Sequence, residues 1–151
     1  MEVLLTPAAP GEAEGIRGLM ARAIVTSVTA DEALRRETIA NVNGNVEYWL
    51  SYPERCVHLK ATLLDRLVGV VLVKDFWNLC SLFVDPSVQS KGIGRSLVEA
   101  ASAECKNKSP KQALFLNAAA NAVGFYERLG FTPRESTQRL PPGFMAMKRS
   151  L

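Results

Sequence analysis

A glycine-containing loop between an apolar strand and a helix is the first feature of this sequence that could bind a ligand. The loop reads Gln89-Ser90-Lys91-Gly92-Ile93-Gly94-Arg95-Ser96 and follows the apolar run Leu79–Val84 and a turn at Asp85-Pro86. Backbone N–H groups in the first turn of a helix lack intrahelical partners and carry partial positive charge. Glycine at positions 92 and 94 removes the Cβ atoms that would keep an anion away from those groups. The loop therefore predicts a site for a phosphate-bearing ligand.

Two common nucleotide-binding motifs fit this loop poorly. A dinucleotide-binding loop has a further glycine three positions after its second one, where this chain has Leu97. A nucleoside-triphosphate P-loop continues into Gly-Lys-Ser/Thr, which does not follow here. Taken alone, the loop could also be an ordinary tight turn before a helix.

A second block in the C-terminal half narrows the interpretation. It reads Asn121-Ala122-x-x-Phe125-Tyr126-Glu127-Arg128-Leu129-Gly130-Phe131. Together with the segment Leu82–Leu97, it resembles the GCN5-related N-acetyltransferases (GNAT), whose acyl-coenzyme A loop reads Gln/Arg-x-x-Gly-x-Gly/Ala. Both blocks occur in the order and at the separation of that family, whereas the N-terminal half resembles it only in its layout of a strand, two helices and a hairpin. By itself the second block could be an amphipathic helix that ends at Gly130.

The resemblance implies an acetyl-coenzyme A site. In this family the fourth and fifth strands, here Leu79–Val84 and Ala113–Asn117, splay into a V, and pantetheine pairs with the exposed backbone of the fourth strand. The cofactor-binding residues that the resemblance implies are Phe83, Val84, Gln89, Ser90, Lys91, Gly92, Ile93, Gly94, Arg95, Ser96, Asn121 and Tyr126. The side chains of Lys91 and Arg95 either add charge at the pyrophosphate or are simply solvated.

The implied reaction is attack of an uncharged amine on a thioester. Tyr126 matches the general acid of the family, because a phenol with an ordinary pKa of about 10 is protonated at neutral pH and can donate to a thiolate. A backbone N–H near Leu82 to Val84 would polarise the carbonyl. Asn121 could contact the cofactor, cap the following helix, or do both, and Asn117 is a weaker candidate of the same kind. Tyr126 could also be a core residue.

The general base is not identified by the sequence, since the family has no fixed residue for it. The candidates are His58, Glu47 and Asp75, although a lone histidine at the start of a strand is also typical of a surface or capping group. Cys80 has no histidine beside it in sequence and is interpreted as a small buried residue.

Acceptor recognition is expected from the segments least like the family, which are Asn41–Trp49, Asp75–Asn78 and Glu135–Gly143. Tyr48, Trp49 and Trp77 could form an aromatic wall or pack in the interior. Arg134 and Arg139 could pair with an acceptor carboxylate or be solvated.

Composition predicts one domain over residues 1–151. A chain with 48% apolar and 22% charged residues can bury a core, and a net charge of +3 is too small for the basic surface of a nucleic-acid-binding protein. One histidine and the three cysteines, Cys56, Cys80 and Cys105, show no metal-ligand spacing, so no metal is expected. The odd cysteine count favours reduced thiols.

The sequence predicts a cytoplasmic protein that does not associate with membranes. It has no apolar run of membrane-spanning length, and Met1–Gly11 lacks the basic and apolar regions of a signal peptide. The sequence is compatible with a homodimer and does not give the oligomeric state.

Apolar periodicity predicts a mixed α+β fold. The expected elements are strands at Val3–Thr6, Val57–Leu64, Leu67–Phe76, Leu79–Val84, Ala113–Asn117, Phe131–Arg134 and Phe144–Lys148, and helices from Glu12, from Asp31 to Tyr52, from Ile93 to Lys106 and from Ala122 to Leu129. A turn is expected at Asp65-Arg66, and Asn43-Gly44-Asn45 is expected to break or kink the second helix. The resemblance implies a three-layer sandwich with a mostly antiparallel sheet, splayed between strands 4 and 5, and helices on both faces.

The main functional prediction is an acetyl-coenzyme A-dependent N-acetyltransferase. It would transfer the acetyl group directly to the primary amine of a small molecule. One alternative is a protein or peptide N-acetyltransferase, which should have an acidic groove, although the sequence shows no obvious acidic cluster. A second alternative is a non-catalytic acyl-coenzyme A sensor.

Overall fold

The computed structural model describes residues 2–28, 31–89 and 91–151, so the predicted site residue Ser90 lies outside the described residues. The helices are α1 (Ala13–Ala23), α2 (Glu32–Ser51), α3 (Ile93–Cys105) and α4 (Val123–Arg128). The strands are β1 (Val3–Pro7), β2 (Cys56–Leu63), β3 (Arg66–Lys74), β4 (Asn78–Val84), β5 (Ala113–Ala118), β6 (Thr132–Pro133) and β7 (Met145–Ser150).

The strands form one seven-stranded sheet in the order β1-β2-β3-β4-β5-β7-β6. Neighbouring strands are antiparallel except β4 and β5, which are parallel and are joined only at Asn78 and Phe115. Beyond that pair the two strands separate, and the space between them opens toward Val84. The predicted mostly antiparallel sheet with a splay between strands 4 and 5 is confirmed.

Helices cover both faces of this sheet, as the α+β sandwich requires. Helices α1 and α2 pack on one face around residues such as Ile16 and Trp49, and α3 packs on the other around Leu97. Side chains of β3 alternate between the two cores, with Val70 and Leu72 on the first face and Val71 on the second. This alternation explains why β3 is apolar along its whole length.

The second helix continues through Asn43-Gly44-Asn45, where the sequence predicts a break or a kink. Helix α2 is continuous from Glu32 to Ser51, and the Asp31 carboxylate caps it by accepting a hydrogen bond from the Leu34 backbone N–H at 2.9 Å. Val42, before Gly44 in sequence, and Val46 and Trp49, after it, are buried on the same face of the helix. Their burial outweighs the helix preference lost at a single glycine, which is about 1 kcal/mol.

The turns on either side of β3 differ slightly from the prediction. The hairpin turn lies at Leu64-Asp65, one residue before the predicted position, and both residues have positive φ, 51° and 62°, as a tight two-residue hairpin requires. Strand β3 ends at Lys74 rather than Phe76, because Asp75 and Phe76 also have positive φ and begin the turn into β4.

The three cysteines are free thiols. Burial raises the thiol pKa of Cys56 to about 11, of Cys80 to about 12 and of Cys105 to about 11. A thiol with so high a pKa is a poor nucleophile near neutral pH. Among the described residues, no three His, Cys, Asp or Glu side chains are grouped so that they could hold a metal ion.

In the same parts of the chain, no helix is both long and apolar enough to cross a membrane.

Candidate active site

The separation of β4 and β5 creates a cleft, here called the V cleft, with a volume of about 290 Å³. Its two sides are the segments 79–84 of β4 and 116–119, and Asn121 and Tyr126 close it from the α4 side. Beyond Asn78 no β5 residue pairs with β4, so one edge of β4 presents its backbone to the cleft. Such an edge can accept an extended ligand as an additional strand.

A β-bulge bends β4 at the opening of this cleft. Val73 pairs with Leu79 and Leu72 pairs with Ser81, so Cys80 is the extra residue. The Cys80 thiol donates to the Leu72 carbonyl at 3.5 Å. Bulges redirect the strand that carries them, and this one lies where the cleft begins. Phe83 and Val84, the predicted main-chain contacts, line the cleft beyond it.

The glycine loop ends at the N-terminus of α3, close to the end of β4. Gly92 is the N-cap residue with a φ of 77°, and the Ser96 N–H donates to its carbonyl at 3.0 Å. The amides of residues 93–95 therefore point outward from the helix start. The space around a Cβ at Gly92 is open for 4 Å among the described atoms, which suits the approach of an anion.

Gly94 lies in close contact with the Phe125 side chain. A Cβ atom at this position would lie 3.3 Å from Cζ of Phe125 and 3.7 Å from Cγ2 of Val84. The glycine therefore permits close packing of α3 against Phe125. Its predicted role beside a bound anion stays a prediction.

The other predicted loop residues surround this helix start. Lys91, Arg95 and Ser96 are exposed, whereas Ile93 is buried in the core. The Gln89 side chain lines the V cleft and donates to the Val84 carbonyl at 3.3 Å, which ties the loop to the end of β4.

Asp85 fixes the turn before the glycine loop, a role that goes beyond the turn predicted at Asp85-Pro86. The Asp85 carboxylate accepts hydrogen bonds from the Ser87 backbone N–H at 2.9 Å and from its hydroxyl at 2.8 Å. These bonds hold the pKa of Asp85 below its usual value. The chain therefore leaves β4 in a defined direction.

Tyr126 is both a core residue and a residue of the V cleft. Only 9% of it is exposed, and its ring contacts Phe125 and Phe131 edge to face at centroid distances of 5.1 and 5.5 Å. Burial raises the pKa of its phenol well above the ordinary value, so the hydroxyl is protonated at neutral pH. The two roles considered for Tyr126, a general acid and a core residue, are therefore compatible.

The two predicted asparagines lie on the β5 side of the cleft. Asn121 lines the V cleft, and it does not cap α4, whose N-cap residue is Ala122. Asn117 accepts a hydrogen bond from Arg134 at 3.2 Å and donates to Gln138 at 3.3 Å. These bonds orient the Asn117 amide at the mouth of the cleft.

A second space of about 550 Å³, here called the side cavity, adjoins the V cleft. The two share one set of lining residues, which comprises Thr38, Asn41, Leu79, Cys80, Asn117 and Phe144. A ligand in the cleft and a second molecule in the side cavity would therefore meet at this shared lining.

A family model decides the classification. The acetyltransferase (GNAT) domain model matches residues 21–140, most of the chain. The chain belongs to the GNAT family. The recognised family and the predicted acyltransferase class are confirmed. No curated protein sequence matches the chain.

Solved structures of GNAT proteins share this fold at low sequence identity. A GCN5-related N-acetyltransferase from Rhodopseudomonas palustris has a TM-score of 0.81 at 20% identity, over 100% of this chain and 97% of that one. The PaiA N-acetyltransferase of Thermoplasma acidophilum, solved with coenzyme A, has a TM-score of 0.81 at 17% identity, over 100% of both chains. YncA of Salmonella typhimurium, solved with acetyl-coenzyme A, has a TM-score of 0.74 at 14% identity, over 99% of this chain and 94% of that one.

All three segments predicted for acceptor recognition contribute to the side cavity of this GNAT domain. They supply Asn41 and Asn45, then Asn78, and finally Gln138, Leu140, Pro141 and the adjoining Phe144. Sequence reasoning missed Glu37, Thr38 and Lys74, which line the same cavity. Glu37 and Thr38 lie one helical turn before Asn41, and this spacing could have revealed them.

None of the three candidate bases lines the V cleft or the side cavity of this GNAT domain. His58 is 6% exposed, its ring lies 4.2 Å from that of Trp49, and burial lowers its pKa to about 4. Glu47 is paired with Arg17, and Asp75 accepts a hydrogen bond from the Tyr48 hydroxyl. Each of the three side chains therefore interacts with a residue outside the two cavities.

The three aromatic residues suggested either as a wall or as packing residues pack against other side chains. Trp49 is buried against His58, Trp77 contacts the Phe115 ring and the Lys111 ammonium, and Tyr48 contacts Tyr52. None of the three lines the side cavity.

The two suggested arginines lie outside the side cavity as well. Arg134 donates to the Met147 carbonyl at 3.2 Å, besides its bond to Asn117. Arg139 lines a neighbouring groove with Glu37 and Leu140.

Proposed function

We propose that this GNAT enzyme transfers an acetyl group from acetyl-coenzyme A directly to the primary amine of a small molecule. Acetyl-coenzyme A-dependent acyl transfer follows from the family, and two structural neighbours were solved with coenzyme A or acetyl-coenzyme A. The acceptor class, the direct route and the action of residues 1–151 as one catalytic domain are our proposals.

The residues around the V cleft fit such a donor. The open edge of β4 near Phe83 and Val84 suits the amide groups of pantetheine, and the open space beside Gly92 suits the pyrophosphate at the start of α3. Lys91 and Arg95 are exposed beside that helix start and would add positive charge. Asn121 and Gln89 would contact the arm of the donor from opposite sides of the cleft.

Direct transfer requires few groups of the protein. The amine, after losing a proton to solvent, forms an N–C bond with the acetyl carbon, and the C–S bond of the thioester then breaks. The leaving thiolate takes a proton from the Tyr126 hydroxyl, which the burial of the ring keeps neutral. The nitrogen bonded to the acetyl carbon releases one proton as the amide forms, and that proton, passed through solvent, restores the Tyr126 hydroxyl. A covalent acyl-enzyme on Cys80 is disfavoured because burial raises its thiol pKa to about 12.

The observation that carries the proposal is the shared lining of the two cavities. A small acceptor in the side cavity would reach the thioester only where Asn41, Asn117 and Phe144 border both spaces. A volume of about 550 Å³ suits a metabolite-sized molecule.

We also propose a reducing, cytoplasmic setting for this enzyme. The support is that Cys56, Cys80 and Cys105 are all free thiols.

A coenzyme A-release screen tests the function. The purified protein is incubated with acetyl-coenzyme A and a panel of amino acids, polyamines, aminoglycosides and peptides. We expect turnover with at least one class of small amine. Tyr126→Phe should lower kcat by about 10²-fold or more, the scale of general acid catalysis, and leave acetyl-coenzyme A binding in calorimetry unchanged.

Tyr52→Phe is the matched control, because Tyr52 is 42% exposed and lines neither cavity. Full activity of Tyr126→Phe would remove that residue from the acid role. Turnover with peptides alone would favour a protein N-acetyltransferase. Tight acetyl-coenzyme A binding with no amine turned over would favour the sensor, and absence of binding would contradict the whole proposal.

A further inference from the structure

One wall of the side cavity carries an ammonium group and a buried amide side by side. The Lys74 Nζ donates to the Asn45 Oδ1 at 2.9 Å, and both residues line the cavity. Lys74 is the last residue of β3, and Asn45 belongs to the buried side of α2. Two elements far apart in sequence thus place two hydrogen-bond donors together.

The hydrogen-bonding capacity of this pair is not used up within the protein. Asn45 is 5% exposed, and its Nδ2 has no hydrogen-bond partner among the described residues. In the same set of residues Lys74 has no carboxylate within ion-pair distance. The adjacent Asp75 carboxylate accepts a hydrogen bond from Tyr48 instead. Buried donors in folded proteins nearly always have an acceptor, and a cation beside such a donor favours an acceptor with negative charge.

The missing acceptor does not belong to the phosphates of the donor. Lys74 and Asn78 flank the turn at the start of β4, whereas the glycine loop follows its other end at Val84. Strand β4 has seven residues, so the two sites lie about 20 Å apart along the strand. An anion at Lys74 therefore belongs to the molecule in the side cavity.

We propose that Lys74 and Asn45 bind the carboxylate of the acceptor, so that the acceptor is an aminocarboxylate such as a free amino acid. This inference rests on the proposed N-acetyltransferase function and specifies its substrate class. The Lys74 ammonium supplies the charge, and the Asn45 Nδ2 gains the acceptor that it lacks.

Spacing along α2 relates the proposed carboxylate site to the V cleft. Asn41 borders both cavities and Asn45 lies four residues later, about 6 Å along the helix axis. A carboxylate held at Asn45 and Lys74 therefore lets the rest of the acceptor extend along α2 toward Asn41, where the two cavities meet. Glu37, one turn before Asn41 on the same side of α2, also lines the side cavity, and its carboxylate would attract the ammonium form in which the acceptor enters.

The test compares free amino acids with their carboxamides, which keep the amine and lose the negative charge. For the wild-type enzyme we expect kcat/KM for the acid to exceed that for the amide by about 10- to 100-fold, as for other hydrogen bonds to charged groups. Lys74→Met keeps the length of the side chain and should bring this ratio close to 1, mainly through a higher KM for the acid. Lys74→Arg should restore part of the preference, and the KM for acetyl-coenzyme A should not change.

Lys106→Met is the matched control, because Lys106 is exposed in the turn after α3 and lines neither cavity. An unfolded Lys74→Met would show a loss of acetyl-coenzyme A binding, and the wild-type acid-to-amide ratio then decides the question alone. Equal acetylation of acids and amides by the wild type would overturn the carboxylate site and leave the transferase function intact. Absence of turnover with every amine, despite acetyl-coenzyme A binding, would instead overturn the proposed function.

Discussion

At the scale of single residues, burial acts on Tyr126 and His58 in opposite ways. It raises the pKa of the Tyr126 phenol and lowers the pKa of the His58 imidazole to about 4, because in both cases a buried charge is unfavourable. Both side chains are therefore neutral at pH 7. For Tyr126 the neutral form is the one that can donate a proton to a thiolate, so loss of its proton should not limit the rate in mildly alkaline solution.

For His58 the same effect links stability to pH. The folded-state pKa of about 4 lies below the ordinary value of 6.5, so between these values the unfolded chain binds more protons than the folded protein. The free energy of unfolding should therefore fall as the pH drops from 6.5 toward 4, with a His58 contribution of about 3 kcal/mol. Urea unfolding at several pH values measures this slope.

The free energy of unfolding also falls over part of this range because carboxylates that are hydrogen-bonded in the folded state, such as Asp85, become protonated. His58→Gln isolates the histidine, since it leaves those carboxylates in place. The slope of unfolding free energy against pH should be shallower in the variant between pH 4 and 6.5. An identical slope would mean that His58 is not buried as a neutral group.

At the scale of elements, two glycine-to-alanine substitutions should have opposite effects on stability. Gly44 lies in the interior of α2, and a Cβ there would meet no atom within 4 Å, so Gly44→Ala should raise the free energy of unfolding by about 1 kcal/mol. Gly69 lies in β3, where a Cβ would be 3.0 Å from Leu97 Cδ1 and 3.2 Å from Ile93 Cγ2. Gly69→Ala should therefore lower the free energy of unfolding by about 1–3 kcal/mol.

Chemical denaturation of both variants measures these changes. Destabilisation by Gly44→Ala would indicate that the chain near Asn43-Gly44-Asn45 leaves the helix, as the sequence alone predicts. A neutral Gly69→Ala would mean that α3 shifts on the sheet at little cost.

Local motifs made much of the fold and of the lining of the V cleft predictable from the sequence. The strand before Asp85, the loop to Gly94 and the block around Tyr126 are each contiguous, and each carries its own pattern of apolar, glycine and polar residues. The helix does not break at Asn43-Gly44-Asn45, and this has a physical reason. A helix preference of about 1 kcal/mol is smaller than the burial of Val42, Val46 and Trp49 on the same helix.

The side cavity could be predicted only in part, because distant segments assemble it. The spacing of residues on α2 is a local signal, but no local signal joins Lys74 to Asn45, which lie on different elements and meet only through packing. The same limit explains why His58, Glu47 and Asp75 were plausible bases in the sequence. Their partners, Trp49, Arg17 and Tyr48, become visible only in three dimensions.

At the scale of the whole molecule, the sheet consists of two parts that share little direct pairing. Strands β1–β4 form one part and β5–β7 the other, and the backbone pairing between them is limited to Asn78 and Phe115. The Phe115 ring also packs edge to face against the Trp77 ring, at a centroid distance of 5.6 Å. A molecule that fills the V cleft would contact both parts, so the donor should stabilise the fold as a whole.

Acetyl-coenzyme A should therefore raise the melting temperature of this chain. A ligand at 100 times its Kd adds about 2.7 kcal/mol to the stability of the folded state, which for a protein of this size corresponds to about 5–10 °C. Differential scanning calorimetry measures the shift. Adenosine 3′,5′-bisphosphate, which lacks the pantetheine arm, is the matched control at the same concentration. It reaches only the start of α3 and not the open edge of β4, so its shift should be clearly smaller. An equal shift from both ligands would show that the cleft between β4 and β5 contributes nothing to donor binding, and that the glycine loop acts alone.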